Sequence, residues 1–332
     1  MIGGAGFVGS WVVDEILKEP QARITIIDNL ISSERSNIPK NPRINFVEGS
    51  ASEFSTFEEI VYPVDFVYQL ACFHGNQSSI ARPLDDLEHG LKTTLLTLEW
   101  VRQFCPNARV LYSGAGCAIA DKTWNEPTPV QELNFTSLSH DSPYSISKIS
   151  GEMYCQFYVK QFNLDIIRVR FQNVYGPREI LGAGKWRGTE HTIWRNVIPT
   201  FIWKALNNID LDIFGSGSRD FVYVEDIARG ISLAMNRGLR GEVYNLASGK
   251  ETKILHLADQ IIKLTNSESN ILYQKHRQWD TSGRRLGDPS KSDISISFVA
   301  EISLNDGLER TVKWTVQNYG MITQSIDKHG RL

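Results

Sequence analysis

Short apolar runs alternate with amphipathic stretches through the first half of the chain. Ile24–Asp28, Ile44–Glu48, Phe66–Leu70, Val110–Ser113 and Ile166–Arg170 read as strands, and Val243–Leu246 adds another downstream. Strands this continuously apolar are buried on both faces. Between them the period changes to that of a helix. Val8, Val12, Val13, Ile16 and Leu17 share one face, and Leu87–Phe104 and Tyr144–Phe162 are longer helices of the same kind. The alternation predicts an α/β fold built on a doubly wound parallel sheet. After Asn173 the rhythm changes: a loop rich in Gly, Trp and Arg runs from Gly176 to Asn196, and shorter elements follow. The expected division is a first domain over 1–173 and a smaller α/β domain over 174–332, with 220–247 returning to the first sheet.

Composition narrows the function. The chain has 332 residues, 41% of them hydrophobic, and a formal net charge of −3. That balance offers no basic surface for nucleic acid and no polybasic membrane patch. No apolar stretch approaches the roughly 20 residues of a membrane helix, and no signal peptide is visible. Cys72, Cys105, Cys117 and Cys155 form no C-x-x-C pair, and His74, His140 and His191 have no metal-ligand spacing. Neither a metal site nor a disulfide framework is expected. Reduced thiols point to the cytoplasm.

Gly3-Gly4-Ala5-Gly6-Phe7-Val8-Gly9 opens the first helix. Gly3, Gly6 and Gly9 allow a tight turn, close approach of a pyrophosphate and close packing of helix on sheet. The N–H groups at the helix start, around Phe7 and Val8, then hold phosphate. Asp28, followed by Asn29, ends the next strand at about the expected 20 residues. A carboxylate there accepts ribose hydroxyls and repels a 2′-phosphate, which selects NAD over NADP; otherwise Asp28 is only a turn former. The strand ahead of Gly3 is reduced to Met1-Ile2, although a central strand needs about five residues. The expectation is a truncated first strand, a sheet without its middle strand, and neighbours with unpaired backbone groups.

Tyr144-Ser145-Ile146-Ser147-Lys148 opens a later helix, and the i, i+4 spacing puts Tyr144 and Lys148 on one face. An ammonium beside a phenol favours the phenolate and lowers its pKa, so that Tyr144 could take a hydroxyl proton while hydride leaves the same carbon. Such a pair occurs on many helix surfaces by chance; its place after the fifth strand of a sheet that begins with the glycine turn gives it meaning.

With these two motifs the sequence resembles the extended short-chain dehydrogenase/reductase family, in particular its NAD-dependent nucleotide-sugar epimerases and dehydratases. The resemblance covers nearly the whole chain. Phe66-Val67-Tyr68-Gln69-Leu70-Ala71 looks like the family's cofactor-lining fourth strand. Phe171-Gln172-Asn173-Val174-Tyr175-Gly176-Pro177 looks like its N-x-Y-G-P turn, whose Asn contacts the substrate diphosphate. Arg219-Asp220-Phe221-Val222-Tyr223-Val224-Glu225-Asp226 is similar to R-D-F-x-x-V-x-D, and Arg277-Gln278-Trp279-Asp280 to R-x-G-D, each bringing an Arg to the sugar nucleotide. A planar guanidinium matches phosphate oxygens. The resemblance implies a Rossmann domain holding NAD, with Leu70, Ala71, Ser50 and Ala51 beside the cofactor, and a substrate domain using Asn173, Arg219, Arg277 and Asp280. It implies catalysis by Tyr144, tuned by Lys148, with Ser113 as an oxyanion partner, in a homodimer.

The departures are specific. The family's second hydroxyl after Ser113 falls on Gly114, and Ala115-Gly116 replace the Asp-Glu that dehydratases use to eliminate water. Ser50 stands where relatives carry an Asp facing the adenine. Gly90 and Thr93 replace an Asn and a Gly on a helix expected to pack closely. Lys185-Trp186-Arg187 and Trp194-Arg195-Asn196 could stack on a nucleobase and bind phosphate, or anchor a surface loop. Arg284-Arg285 stand near the border of the sugar pocket, where a guanidinium would attract a carboxylate; they could equally face solvent or the diphosphate. The leading reading is a nucleotide-sugar 4-epimerase. The alternatives are a nucleotide-sugar oxidoreductase, a C2-epimerase, or a catalytically silent NAD-binding protein.

Overall fold

The computed structural model describes residues 1–60, 63–73, 75–119, 123–134, 138–185, 196–277, 280 and 283–329. Trp186, Arg187, Trp194, Arg195, His74, His191, Gln278 and Trp279 lie outside the described residues.

The first half contributes Ile24–Asp28 (β1), Ile44–Glu48 (β2), Phe66–Gln69 (β3), Arg109–Ala115 (β4) and Asp165–Phe171 (β5). The second contributes Asn173–Tyr175 (β6), Leu211–Phe214 (β7), Ser218–Tyr223 (β8), Val243–Leu246 (β9), Glu251–Lys253 (β10) and Ile271–Gln274 (β11). β2 pairs with β1, and β3, β4, β5 and β9 pair in that order, all parallel. Ile2 joins the two halves by bridging Ile27 on β1 and Gln69 on β3. Its N–H donates to the Tyr68 carbonyl (2.9 Å), its carbonyl accepts from Leu70 (3.0 Å), and Met1 and Gly3 exchange bonds with Ile27. The expected loss of the middle strand is therefore corrected at the carboxyl end of the sheet, where Met1–Gly3 pair on both sides.

Successive residues of a strand face opposite ways. Val110 and Ile166 accordingly pack under Leu98, Val101 and Tyr158 on one face, while Leu111, Ile167 and Val169 pack under Val12, Ile227 and Ile231 on the other. That double covering is why these strands read as unbroken apolar runs. The expected helix Leu87–Phe104 is two elements: a wider π-type turn over Leu87–Lys92, then an α-helix over Thr93–Phe104. Gly90 sits opposite Ser147, where a Cβ would meet ordinary van der Waals distances, so close helix packing survives the unusual residues. A smaller body forms around β6–β8–β10 and β7–β11, its core made by Ile202, Leu211, Ile213, Leu257 and Ile261.

One buried ion pair ties helix to sheet. Arg170 on β5 donates to both carboxylate oxygens of Glu152 (2.7–3.1 Å) on the helix Pro143–Phe162, and to the Glu132 carbonyl (3.0 Å). Both residues are almost fully buried. Removing one partner of such a pair strands a charge, at a cost of about 3–5 kcal/mol. Arg170→Met should lower stability by about that amount in urea unfolding, and Arg170→Met with Glu152→Gln should recover much of the loss. Strictly additive losses would mean that the two side chains do not act as a pair.

Candidate active site

The sheet ends in a cleft of about 750 Å³ between the two bodies of the fold. Gly3, Gly6, Phe7, Val8, Gly9, Asp28, Asn29, Ser50, Ala51, Leu70 and Ala71 line one end. Ser113, Tyr144, Lys148, Asn173, Arg219, Arg277 and Asp280 line the rest. Every side chain and glycine singled out in the sequence is thus brought to one cavity, from strand ends and helix starts that the parallel sheet places together.

The glycine turn fits a dinucleotide. Gly3 has φ +82°, and a Cβ there would lie 2.7 Å from the Ala71 nitrogen; at Gly9 it would lie 2.2 Å from the Gly3 carbonyl oxygen. Only a chain without side chains passes here. Gly6 is different: its Cβ would meet only the Gly3 carbonyl oxygen, at 3.3 Å, and would otherwise project into the cradle where a pyrophosphate fits. Gly6 starts the helix Phe7–Leu17, whose first N–H groups receive no side-chain cap and suit an anion. Asp28 is fixed by the Ala5 N–H (2.9 Å), the Leu30 N–H (3.0 Å) and the Ser33 hydroxyl (2.8 Å). Burial nonetheless holds its carboxyl above the ordinary range. A carboxylate has about four acceptor positions, which leaves capacity for ribose hydroxyls. Ser50 bonds Ser52 (2.8 Å), so this rim carries hydroxyls rather than a carboxylate.

Tyr144 stands in the first turn of the helix Pro143–Phe162, started by Pro143 and by Ser142, whose hydroxyl caps the Ser145 N–H. One turn on, the Lys148 ammonium donates to the Ser113 carbonyl (2.7 Å) and hydroxyl (3.3 Å) and lies 6.0 Å from the Tyr144 ring centre. The expected lowering of the Tyr144 pKa is not met: burial pushes the phenol well above its ordinary value, and Cys72, Cys117, Tyr112 and Asp86 push the same way. Ser113 donates its hydroxyl proton to the Gln69 carbonyl (3.1 Å). It anchors Lys148 and β3 in this arrangement, and must rotate to reach a sugar oxygen. The missing second hydroxyl has a steric cause. A Cβ on Gly114 would lie 2.5 Å from Glu152 Oε1 and 3.1 Å from Arg170 Cγ, so the buried ion pair occupies the space.

At the far end, Arg219 on β8 donates to the Ser218 and Gly283 carbonyls (2.7 Å each), and Arg277 stacks 3.7 Å from the Phe214 ring centre. Several lining residues were not singled out as site residues: Cys72, Gln77, Ser78, Cys117, Trp124, Phe201, Lys204 and Phe214. They come from loops and short elements without periodicity, so only the fold could bring them here. Arg285 lines the cleft whereas Arg284 does not; Arg284 instead grips Glu251 through two bonds of 2.6 and 2.7 Å.

Known proteins carry the same architecture. The Bordetella bronchiseptica enzyme WbmF, solved with NAD+ and UDP, is 43% identical, with a TM-score of 0.86 over 99% of this chain and 95% of that one. The epimerase Mth375 from Methanothermobacter thermautotrophicus is 33% identical, with a TM-score of 0.87 over 98% and 93%. A UDP-glucose 4-epimerase from Thermotoga maritima, solved with UDP-glucose, is 27% identical, with a TM-score of 0.84 over 96% and 98%. Residues 1–247 match the family model described as the NAD dependent epimerase/dehydratase family. The fold, the glycine turn and this match agree, and the chain belongs to the NAD dependent epimerase/dehydratase family.

Proposed function

We propose that the chain is a nucleotide-sugar 4-epimerase that keeps NAD bound through its cycle. The observation that carries this reading is the single cleft in which Tyr144, Lys148 and Ser113 lie between a dinucleotide cradle and the guanidiniums of Arg219 and Arg277. When bound, oxidised NAD supplies a hydride acceptor for the sugar C4 and a positive ring charge that favours a nearby phenolate. Gly3, Gly6, Gly9 and the start of the first helix suit its pyrophosphate, and Asp28 its adenosine ribose. Asn173, Arg219, Arg277 and Asp280 suit the diphosphate and ribose of the substrate.

Tyr144 takes the proton of the C4 hydroxyl and returns it after the sugar has turned over. Lys148, fixed on Ser113, offsets part of the burial that opposes the phenolate. Ala115 and Gly116 have no proton to exchange, which favours epimerisation over the elimination chemistry of the family's dehydratases. A net oxidoreductase is the second reading; it requires a cofactor that leaves.

A second copy of the chain is the proposed partner. Ile146, Met153, Tyr154 and Phe157 recur on one face of the helix Pro143–Phe162 and are exposed, with Leu84 and Leu87 also exposed on the neighbouring segment. An apolar face of this breadth marks an interface. No described helix is long and apolar enough to cross a membrane, and a cytoplasmic site of action suits the unpaired cysteines.

Three outcomes are expected. Protein purified without added cofactor, then denatured, should release NAD and not NADP, and should turn over a UDP-hexose with no cofactor supplied. A requirement for stoichiometric exchange would favour the oxidoreductase. Tyr144→Phe should reduce kcat at least about 100-fold, the usual scale of acid–base catalysis, while retaining NAD; substantial activity would identify another base. Light scattering should give twice the chain mass, and Met153→Glu with Phe157→Glu should give the monomer.

A further inference from the structure

Arg285 is a third guanidinium in the cleft, and its surroundings differ from those of Arg219 and Arg277. It lines the cavity yet is only 5% exposed. Its Nη2 lies 3.2 Å from Asp141 Oδ2, three residues before Tyr144. Asp141 is shared: Asn76 donates to the same oxygen (3.3 Å), and the Ser142 and Ser145 hydroxyls donate to the other (3.2 and 2.8 Å). One carboxylate divided among four donors neutralises Arg285 only in part. Arg285 also acts on the Cys117 thiol, which packs with Tyr144, and on Arg219, whose pKa falls to about 10 through burial and this like charge.

The acidic residues of the cleft are elsewhere. Asp28 is at the glycine turn, Glu179 bonds Asn196, Asp212 pairs with Lys204, and Asp280 acts on Arg277 and Arg219. Among the described residues, none of the elements that carry Ser113, Tyr144 and Lys148 adds a carboxylate to the cleft wall. The reacting end is therefore walled by neutral polar groups and two cations, Lys148 and Arg285.

Arg285 is also held firmly. The Arg284 N–H donates to the Thr123 carbonyl (2.7 Å), Val130 donates to the Leu286 carbonyl (3.0 Å), and the Gly287 N–H donates to buried Asp220 (3.3 Å). Burying a cation is costly unless an anion meets it, and a neutral hexose brings none to this end of the cleft. In a hexuronate the carboxylate hangs from C5, the neighbour of C4. An arginine that recognises it must sit beside the group that handles C4, which is where Arg285 stands.

We propose that Arg285 selects a nucleotide-linked uronate, a sugar with a carboxylate at C6, as the substrate class of this cleft. The proposal rests on the sugar-nucleotide reading of the site, but its test does not rest on turnover. Isothermal titration of the NAD-bound protein with UDP-glucuronate and with UDP-glucose gives a binding ratio. At least a tenfold preference for the uronate is expected in the wild type. Arg285→Met should cut that ratio at least tenfold, and Arg285→Lys, which keeps the charge but loses the fork, should cut it less. Asp141→Asn, which releases the guanidinium from its internal partner, should preserve or raise it. If Arg285→Met fails to fold, the wild-type ratio and the lysine variant decide. A wild-type ratio near one, or a preference unchanged in the arginine variants, overturns the proposal. Turnover is followed in parallel: epimerised UDP-glucose with no uronate preference leaves the epimerase reading standing alone. A uronate preference without epimerisation of either sugar keeps the specificity and removes the 4-epimerase.

Discussion

The ion pair between Glu152 and Arg170 is the constraint around which the reacting end is built. It clamps the helix that carries Tyr144 and Lys148 against the strand that follows it, with three bonds of 2.7–3.1 Å in a buried setting. A charge pair so placed contributes little net stability but penalises any arrangement that separates it. Lys148 is on the same helix and Gly114 pairs with Arg170 across the sheet. The position of the ammonium, its grip on the Ser113 carbonyl and the absence of a side chain at Gly114 therefore form one packing solution.

The distribution of charge in the cleft follows the same logic. Carboxylates are placed where hydroxyls have to be bound, as at Asp28, and guanidiniums where phosphates or carboxylates do. Tyr144 is kept protonated by burial, so its chemistry depends on cations arriving at or held near the phenol. Lys148 alone, 6.0 Å from the ring centre, is a weak lever against full desolvation, and the charge of the bound cofactor completes it.

Much of this was legible in the sequence, for a physical reason. Doubly covered strands leave unbroken apolar runs, and glycines at 3, 6 and 9 have few other uses before an amphipathic helix. Tyr144 and Lys148 were legible because a helix turns a spacing of four into adjacency. What could not be read depended on contacts between distant segments. The high Tyr144 pKa comes from burial, which no local pattern reports. The separate fates of Arg284 and Arg285, one bound to Glu251 outside the cleft and one inside it, depend on successive residues facing opposite ways along a segment held by Thr123 and Val130. Met1–Gly3 supply more pairing than two residues before a turn suggest, because Ile2 bonds on both sides at once.

The collision awaiting a side chain at Gly114 has a historical consequence. A serine or threonine placed there meets Glu152 Oε1 at 2.5 Å, so it cannot be accommodated while Glu152 keeps its place. Changing Glu152 first strands Arg170. The two-hydroxyl arrangement is therefore separated from this sequence by a valley: each single step toward it lowers fitness through stability, and only a coordinated change at 114, 152 and 170 crosses. A lineage in this state is channelled to diversify its chemistry at the opposite wall, around Cys117 and Arg285, where substitutions are not chained to the sheet.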